Sequence, residues 1–482
     1  MNYMVKIFTV MIVLVPLAVF SAIAQNLDPA SLAGDVWYGV YMNGDKVGYA
    51  KNSLSVDDDG TVTISQDASF KLTMVGMRQS MRTVTERRYG ADGALIGIES
   101  IVDDMSGTST FVATVEGDRM TLRTSVGGSM KEVVMPKPRE SLRDSLRTVE
   151  FVRSGPKVGE VVTYHQFEPM FQQEIEARSE VIGVESHSFE GVPTTVYVLK
   201  TTLSIMGIDS VSHITEEGLL LEDEIAGGLL VMRLEPEAIA KDVTYQNDTI
   251  VSNAAMVDAP VRDPRDRAVL RLRLDGPLTS GHLIEDGRQS FREDGDGYVF
   301  EGRKVDVDEL VPMRLPVSDE EARRWLEPST FVQCDDPKLI AKAREIVGDE
   351  TDMIKISEKL VHWVYDNVRP TFSARLTNSL DVLESMEGDC TEHSMLYIGL
   401  ARAAGLPARE VAGLIYADLP EPGFYFHQWA MAWVGEWIDV DPTFNQPVAD
   451  ATHIKLAEGD LLEQVKLLPI IGQLKIEVLN GD

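Results

Sequence analysis

The fold of this chain is decided by the stretch from Gly388 to Thr443, which opens with the residues Gly388-Asp389-Cys390-Thr391-Glu392-His393. The apolar segment 394–404 follows directly, and Gly405 and Pro407 come after it. Glycine and then proline after an apolar run is a typical helix stop. The stretch therefore predicts a helix that starts beside Cys390 and ends near residue 404.

Cys390 is expected in the first turn of this helix. Asp389 is a favourable N-cap residue, and Glu392, three residues later, is the usual partner in a capping box. The unpaired backbone N–H groups and the positive dipole end of a helix start stabilise a thiolate relative to a thiol. Cys390 is therefore a candidate nucleophile.

Three predicted strands come next, and they carry the two partners that a nucleophile needs. Their apolar and aromatic patterns, and the breaks between them, place the strands at 409–416, about 424–434 and 437–441. His427 on the second strand is a candidate general base, and Asp441 on the third is a candidate to orient that base. His393 is a rival base on the helix of Cys390, and Asp439 is a rival acid on the same strand face as Asp441.

The turn between the last two strands decides whether His427 and Asp441 can meet. A regular two-residue turn at Gly435-Glu436 would point their side chains to opposite faces, because side chains alternate along a strand. A three-residue turn with Gly435 or a neighbour at positive φ, or a bulge in either strand, would correct the register. We expect such an irregularity, with the His427 ring between the Asp441 carboxylate and the Cys390 sulfur.

Three segments in this region resemble the three sequence blocks of the transglutaminase-like superfamily: GDCTEHSMLYIGLARAAGLPARE, HQWAMAW and WIDVDPTFNQ. The resemblance covers roughly residues 335–455. It implies Cys390 as nucleophile, His427 as base and Asp441 as orienting acid, and the Pro-Thr after Asp441 favours this residue over Asp439. It also implies a papain-like fold, in which helices lead into the catalytic helix and pack on an antiparallel sheet, with His393 in a supporting role.

The resemblance implies cysteine-dependent acyl transfer from a peptide or amide carbonyl, with a protein or peptide as substrate. The backbone N–H of Cys390 is expected to stabilise the oxyanion, and Trp363 and Asn378 are candidates for the second donor. Asp389 and Glu392 are supporting residues, and we expect no metal ligand and no cofactor. Hydrolysis is the expected outcome; the alternatives are transfer to an amine, and a catalytically idle binding protein that uses its β-modules.

The start of the chain has the parts of a secretory signal peptide. Lys6 is followed by an apolar stretch, 7–20, and by the small-x-small site Ala22-Ile23-Ala24. An uncleaved membrane anchor is the alternative, but the apolar stretch is short for a membrane span and contains Pro16. We expect residues 1–24 to be removed, no membrane association afterwards, and a mature protein that is periplasmic or secreted.

Charge and cysteine content limit the partners and the cysteine chemistry that the chain can have. With 45 basic and 77 acidic residues the net charge is −32, which argues against nucleic acid and anionic membrane surfaces as partners. The two cysteines, Cys334 and Cys390, could form a disulfide in an exported protein. Such a bridge would consume the nucleophile, so we expect Cys390 to be free.

The remaining sequence predicts an α+β protein with β-rich modules before the catalytic domain. Residues 25–250 alternate between strand-like runs and turn signals, which predicts an antiparallel meander, and a split near 138–155 would divide it into two halves. It forms either two sheet layers or one large curved sheet. Residues 251–315 are predicted as a linker and small β-region, and 316–482 as the catalytic domain. We expect residues 315–482 to fold without the modules.

Overall fold

A computed structural model describes residues 28–479 except 75–76, 106, 190, 205–206, 245–247, 258, 372–375 and 419–420. The predicted signal peptide, residues 1–24, lies outside this described part. No helix among the described residues is long and apolar enough to cross a membrane.

The first half of the described chain forms a 14-stranded antiparallel sheet. Its strands are β1 Gly34–Met42, β2 Asp45–Val56, β3 Val62–Met74, β4 Met77–Tyr89, β5 Leu95–Asp104, β6 Gly107–Glu116, β7 Arg119–Val126, β8 Ser129–Pro136, β9 Val161–Glu168, β10 Gln173–Phe189, β11 Val192–Leu203, β12 Ile208–Thr215, β13 Leu220–Ile225 and β14 Leu230–Leu234. Strands β1–β8 and β9–β14 are two meanders that join where β1 pairs with β14. The predicted meander is confirmed, and it takes the form of one continuous sheet.

Alternation of side chains explains why these residues form a sheet. In β4, every second residue from Gln79 to Tyr89 is buried, and most of those between are exposed. A period of two is typical of antiparallel strands with one face covered and one in water. Two helices, α1 Leu142–Ser145 and α2 Arg147–Arg153, separate the two meanders in sequence.

The second half contains the remaining helices and two further antiparallel sheets. The helices are α3 Glu237–Ala240, α4 Thr249–Ser252, α5 Glu320–Arg323, α6 Pro337–Val347, α7 Met353–Asn367, α8 Ser379–Ser385, α9 Cys390–Ala403 and α10 Leu461–Val465. The strands are β15 Ala255–Met256, β16 Val269–Asp275, β17 Gln289–Asp294, β18 Gly297–Arg303, β19 Arg369–Pro370, β20 Glu387–Gly388, β21 Ala408–Ala417, β22 Gly423–Trp433, β23 Trp437–Val440, β24 Ile454–Glu458 and β25 Lys475–Val478. One sheet has the order β15-β22-β21-β24 with β23 beside β22, and the other has the order β17-β18-β16-β25.

Helix α9 is the centre of the catalytic half. Every residue from Cys390 to Ala401 is buried. The helix packs against α6, α7 and α8 and against strands β21 and β22. This is the helix-on-sheet arrangement that the sequence predicts, and it places the N-terminus of α9 beside the middle of β22.

One hydrophobic cluster spans both halves of the chain, whereas the buried members of a second cluster all lie within residues 317–440. The largest cluster of buried apolar side chains contains members of the 14-stranded sheet, of the segment 251–315 and of the catalytic half; examples are Tyr38, Phe70, Phe111, Leu270, Phe300, Leu414, Phe424, Ile454 and Leu468. Strand β16 also pairs with β25, so residues 269–275 and 475–478 form one sheet. Residues outside 315–482 thus cover part of the apolar surface of this fragment, and the expectation that it folds alone stays a prediction.

Polar contacts reinforce this connection close to the catalytic helix. The Asn378 side chain donates to the Val126 carbonyl at 2.6 Å, and the Asp104 carboxylate accepts from the backbone N–H of Leu376 at 2.6 Å. Residues 376 and 378 directly precede α8, which packs on α9. The β-sheet thus supports the segment that leads into the catalytic helix.

We predict that residues 315–482, expressed alone, lack a cooperative thermal unfolding transition, because the fragment exposes apolar side chains that the sheet covers in the full chain. Near-ultraviolet circular dichroism during heating measures this. A fragment of residues 253–482, which retains β15 to β18, is the matched comparison and should show more fixed tertiary structure. A sharp transition in the 315–482 fragment would show that the shared core is not needed.

Candidate active site

Cys390 is the first residue of α9, and its helix start has the predicted capping box. The Asp389 carboxylate accepts from the N–H of Thr391 at 3.0 Å, and the Glu392 carboxylate accepts from the N–H of Asp389 at 2.9 Å. Cys390 is only 4% exposed. The sulfur therefore lies at the positive end of a buried helix, where a thiolate is favoured over a thiol.

His427, on β22, contacts both of the other predicted triad members. Its Nε2 lies 2.8 Å from Oδ2 of Asp441, and its side chain also hydrogen-bonds Cys390. Because Nε2 faces the carboxylate, Nδ1 is the ring nitrogen that remains for the sulfur. These two contacts are the ones expected for a ring that lies between the Asp441 carboxylate and the Cys390 sulfur.

The turn between β22 and β23 supplies the odd register that this contact requires. Trp433 pairs with Trp437, so three residues, 434–436, form the turn, and Gly435 has a φ of 115°. This register places Asp441 across from Trp429, on the face of the sheet that also carries His427. The predicted three-residue turn with a glycine at positive φ is therefore confirmed.

The charges of the three groups support one another. Burial alone would lower the pKa of His427, but the negative charges of Asp441 and Cys390 raise it to about 9. Burial raises the pKa of the Cys390 thiol, and the charge and hydrogen bond of His427 lower it. Burial likewise raises the pKa of Asp441, but its bonds to His427 hold it well below the usual range. The arrangement favours a thiolate–imidazolium pair.

One known protein family matches the part of the chain that contains this site. Residues 340–442 match the family model of the transglutaminase-like superfamily. The chain carries a transglutaminase-like domain. An uncharacterised protein of Haemophilus influenzae is 33% identical over 86 residues, which are 17% of this chain and 23% of that protein. The chain thus spans less than a quarter of the length of this curated relative.

Two solved structures are similar to parts of the chain. One is a proposed cysteine protease from Cytophaga hutchinsonii, with 18% identity, 48% of this chain and 82% of that chain covered, and a TM-score of 0.30. The other is a β-barrel-like protein of unknown function from Brucella abortus, with 10% identity, 41% and 93% covered, and a TM-score of 0.33.

Asp439, the alternative to Asp441 as the orienting acid in the transglutaminase-like domain, forms its hydrogen bonds and ion pairs with groups other than His427. Its carboxylate accepts from the indole N–H of Trp429 at 2.7 Å and pairs with Arg288 at 3.1 Å and Lys455 at 3.4 Å. Burial raises its pKa, but the two cations outweigh this effect and lower it to about 2. Asp439 therefore serves a buried ion-pair network beside the site, and Asp441 is the acid that contacts His427.

The rival base, His393, stabilises the helix start. Its Nδ1 lies 2.7 Å from the Asp389 carbonyl, and burial lowers its pKa. A neutral imidazole that donates to the residue before Cys390 fits the supporting role predicted for it.

The two candidates for the second oxyanion donor lie in different environments. Asn378 is the N-cap of α8: its carbonyl oxygen accepts from the N–H of Asp381, and its amide donates to Val126. One amide N–H and the carbonyl oxygen of its side chain are thus used structurally, and its role as an oxyanion donor stays a prediction. Trp363 packs against the helical core with Lys342 5.5 Å from its ring centre, and its role stays a prediction.

Neither of the two cysteines in the described part of the chain forms a disulfide. Cys334 is buried, its thiol donates to the Leu326 carbonyl at 3.3 Å, and burial raises its pKa. The disulfide alternative is therefore not the state seen here. Cys334 is a structural thiol, in contrast to Cys390 beside its imidazole.

Sequence reasoning missed three groups around the His427 ring. Trp429 stacks on it with ring centres 5.9 Å apart, and Phe444 lies against it at 5.4 Å. His453 places its Nε2 3.0 Å from Oδ2 of Asp441, the same oxygen that His427 contacts. The segment Asp450-Ala451-Thr452-His453 resembles a family segment, but nothing in the sequence alone gives it a function.

His427, Asp441 and His453 also form a group that could hold a metal ion, since their ligand atoms lie within 4.8 Å of one another. A metal needs ring nitrogens without protons. Here the two imidazoles face one carboxylate oxygen at 2.8 and 3.0 Å, which is hydrogen-bond distance. We interpret the group as hydrogen-bonded.

We predict that Gly435→Ala destabilises the protein by about 1–3 kcal/mol, the usual cost of a residue held in a sparsely populated backbone conformation. An added Cβ would also lie 2.7 Å from Cγ of Met313. Urea unfolding measures the effect. Gly287→Ala is the control, because its Cβ meets nothing within 4 Å and its φ is not positive; equal losses in both variants would contradict the role of the turn.

We predict that Asp441→Asn shifts the pH profile of Cys390 alkylation. Iodoacetate is an anion and reacts fastest while the imidazolium beside the thiolate is charged, so its rate falls at alkaline pH as His427 loses its proton. Asp441 raises the pKa of His427, so its loss moves this alkaline limb to lower pH. Asp439→Asn should move the limb less; a larger shift from Asp439→Asn would make Asp439 the orienting acid.

Proposed function

We propose that this protein is an exported cysteine hydrolase that cleaves peptide or amide bonds through Cys390, His427 and Asp441. The observation that carries the proposal is the hydrogen bonding of His427 to both Cys390 and Asp441 at a helix start. A nucleophile, a base and an oriented acid in this order are the groups that covalent acyl transfer needs.

In the proposed reaction, the Cys390 thiolate attacks the substrate carbonyl and forms a tetrahedral oxyanion. The backbone N–H of Cys390 is proposed as one donor to this oxyanion. The His427 imidazolium gives its proton to the leaving amine, which departs as the acyl-enzyme forms. His427 then takes a proton from water, whose oxygen attacks the thioester, and the thiolate is regenerated.

A cavity of about 420 Å³ lies next to the triad and is a candidate side-chain pocket. Phe444, which contacts the His427 ring, is part of its wall. Apolar Ile354, Ile438 and Val448 line it, and the charged side chains in its wall are Arg265, Lys304 and Glu358. This lining supports a substrate side chain that is largely apolar.

Labelling with iodoacetamide tests the proposal. We predict that Cys390 reacts near neutral pH, whereas Cys334 does not, because its buried thiol has no imidazole partner. His427→Ala should slow the labelling of Cys390 at least about tenfold, a loss of about 1.4 kcal/mol of thiolate stabilisation. His187→Ala is the matched control, since His187 is an exposed histidine that pairs with Glu185 on β10.

Equal and slow labelling of Cys390 in the wild type and in His427→Ala would contradict an enzymatic role and favour a binding protein that uses its β-sheet. Incubating peptides with a primary amine separates the two acyl-transfer outcomes. Cleaved or deamidated products support hydrolysis, whereas amine adducts support transfer. Comparing cleaved proteins between the wild type and Cys390→Ala would identify the substrate.

A further inference from the structure

His453 lies between two buried carboxylates. Its Nε2 is 3.0 Å from Oδ2 of Asp441, and its Nδ1 is 3.2 Å from Oδ1 of Asp450. The side chain has no exposure to solvent. Both ring nitrogens therefore face acceptors, and satisfying both requires that each nitrogen carries a proton.

A second buried histidine in the same chain shows the contrast. Nδ1 of His282 accepts from the N–H of Thr279 at 3.0 Å, and its Nε2 lies 2.9 Å from the Lys466 carbonyl. One acceptor nitrogen and one donor nitrogen fit a neutral imidazole. Burial lowers the pKa of His282, whereas the two carboxylates outweigh burial and raise the pKa of His453.

Asp450 is held in place by hydrogen bonds to other groups, so its contact with His453 has a defined geometry. Its Oδ2 accepts from Arg265 at 3.0 Å and from Gln446 at 2.8 Å, and its Oδ1 accepts from the N–H of Thr452 at 2.8 Å. The chain can approach β21 closely just after His453 because Gly413 has no side chain: a Cβ there would lie 1.9 Å from the Ile454 carbonyl oxygen. Sequence and packing together hold the imidazole in place.

We propose that His453 is a positioning residue for the triad: a doubly protonated imidazole that orients the Asp441 carboxylate towards His427 and offsets part of its negative charge. The inference rests on the proposed function, because it concerns the residues through which the triad acts. Two carboxylates, Asp441 and Asp450, are balanced by two cations, His453 and Arg265, so His427 faces a carboxylate whose charge is partly compensated.

The proposal gives a pH dependence with a defined sign. Besides Asp441 and Asp450, the charged or titratable groups around His453 are His427, Asp439, Arg265, Arg288 and Lys455. Replacing His453 by glutamine removes a positive charge whose ring centre is 6.0 Å from that of His427. The His427 imidazolium then faces a less compensated carboxylate, which raises its pKa.

We predict that His453→Gln, in the full chain, moves the alkaline limb of Cys390 alkylation by iodoacetate upward by about one pH unit. This direction is opposite to that expected for Asp441→Asn. His282→Gln is the matched control, a buried histidine outside the site, and should leave the limb in place. A purely structural role for His453 would lower the unfolding temperature without moving the limb.

The alkylation experiment can distinguish a failure of this inference from a failure of the proposed function. If the wild type shows no alkaline limb that depends on His427, the proposed function fails. If the wild type shows it and a folded His453→Gln leaves it unchanged, only the role of His453 is overturned.

A measurement on the wild type keeps the proposal testable if His453→Gln does not fold. In the full chain with ¹⁵N-labelled histidine, the His453 ring can be assigned through its contact with Trp429, whose ring centre is 5.1 Å away. Both ring nitrogens should carry protons at pH 7. A chemical shift of an unprotonated nitrogen would overturn the proposal.

Discussion

The Asp441 carboxylate is the group on which the rest of the site depends. It has no exposure to water, and a buried charge is costly unless every acceptor position is satisfied. Oδ2 lies within hydrogen-bond distance of two imidazoles, and Oδ1 accepts from the backbone N–H groups of Thr443 and Phe444 at 2.8 and 3.3 Å. The carboxylate is thus enclosed by donors that come from three different parts of the sequence.

This requirement explains features that are distant from the chemistry. The three-residue turn at Gly435 brings Asp441 to the face of His427, and the segment after the Pro-Thr pair curls back to bring His453 to the same oxygen. His453 needs a second acceptor, which Asp450 provides, and Asp450 needs a cation, which Arg265 provides from the region before the catalytic domain. Removing residues 251–315 would therefore remove a charge that the buried network needs, as well as the strands that pair with β25.

The sequence predicted what is encoded locally. The capping box at Asp389 and Glu392 and the three strands after α9 follow from spacing within a few residues. The odd register between His427 and Asp441 could be deduced as well, because alternation of side chains forbids their contact across a two-residue turn.

The rest depends on contacts that cross long stretches of sequence. The partnership of Arg265 with Asp450, and of Arg288 with Asp439, joins residues more than 150 positions apart, and no local pattern encodes it. The amide of Asn378 donates to Val126 at the end of β7, a contact that its place upstream of Cys390 does not predict. The shared hydrophobic core was missed for the same reason: alternation predicts which face of a strand is buried, but not what covers it.

The buried network also shows how an acidic chain could accommodate the thiolate proposed for Cys390. A net charge of −32 would disfavour a thiolate if all charges acted equally. Most of these charges lie at the surface, where salt screens interactions beyond roughly 8–10 Å. Inside the site the field is set by neighbours within hydrogen-bond distance, and there the carboxylates are matched by His453, Arg265, Arg288 and Lys455. Among the described groups of the triad, the imidazolium of His427 is then the cation nearest to the sulfur. The proton on His427, rather than the overall composition of the chain, therefore controls the charge state of Cys390.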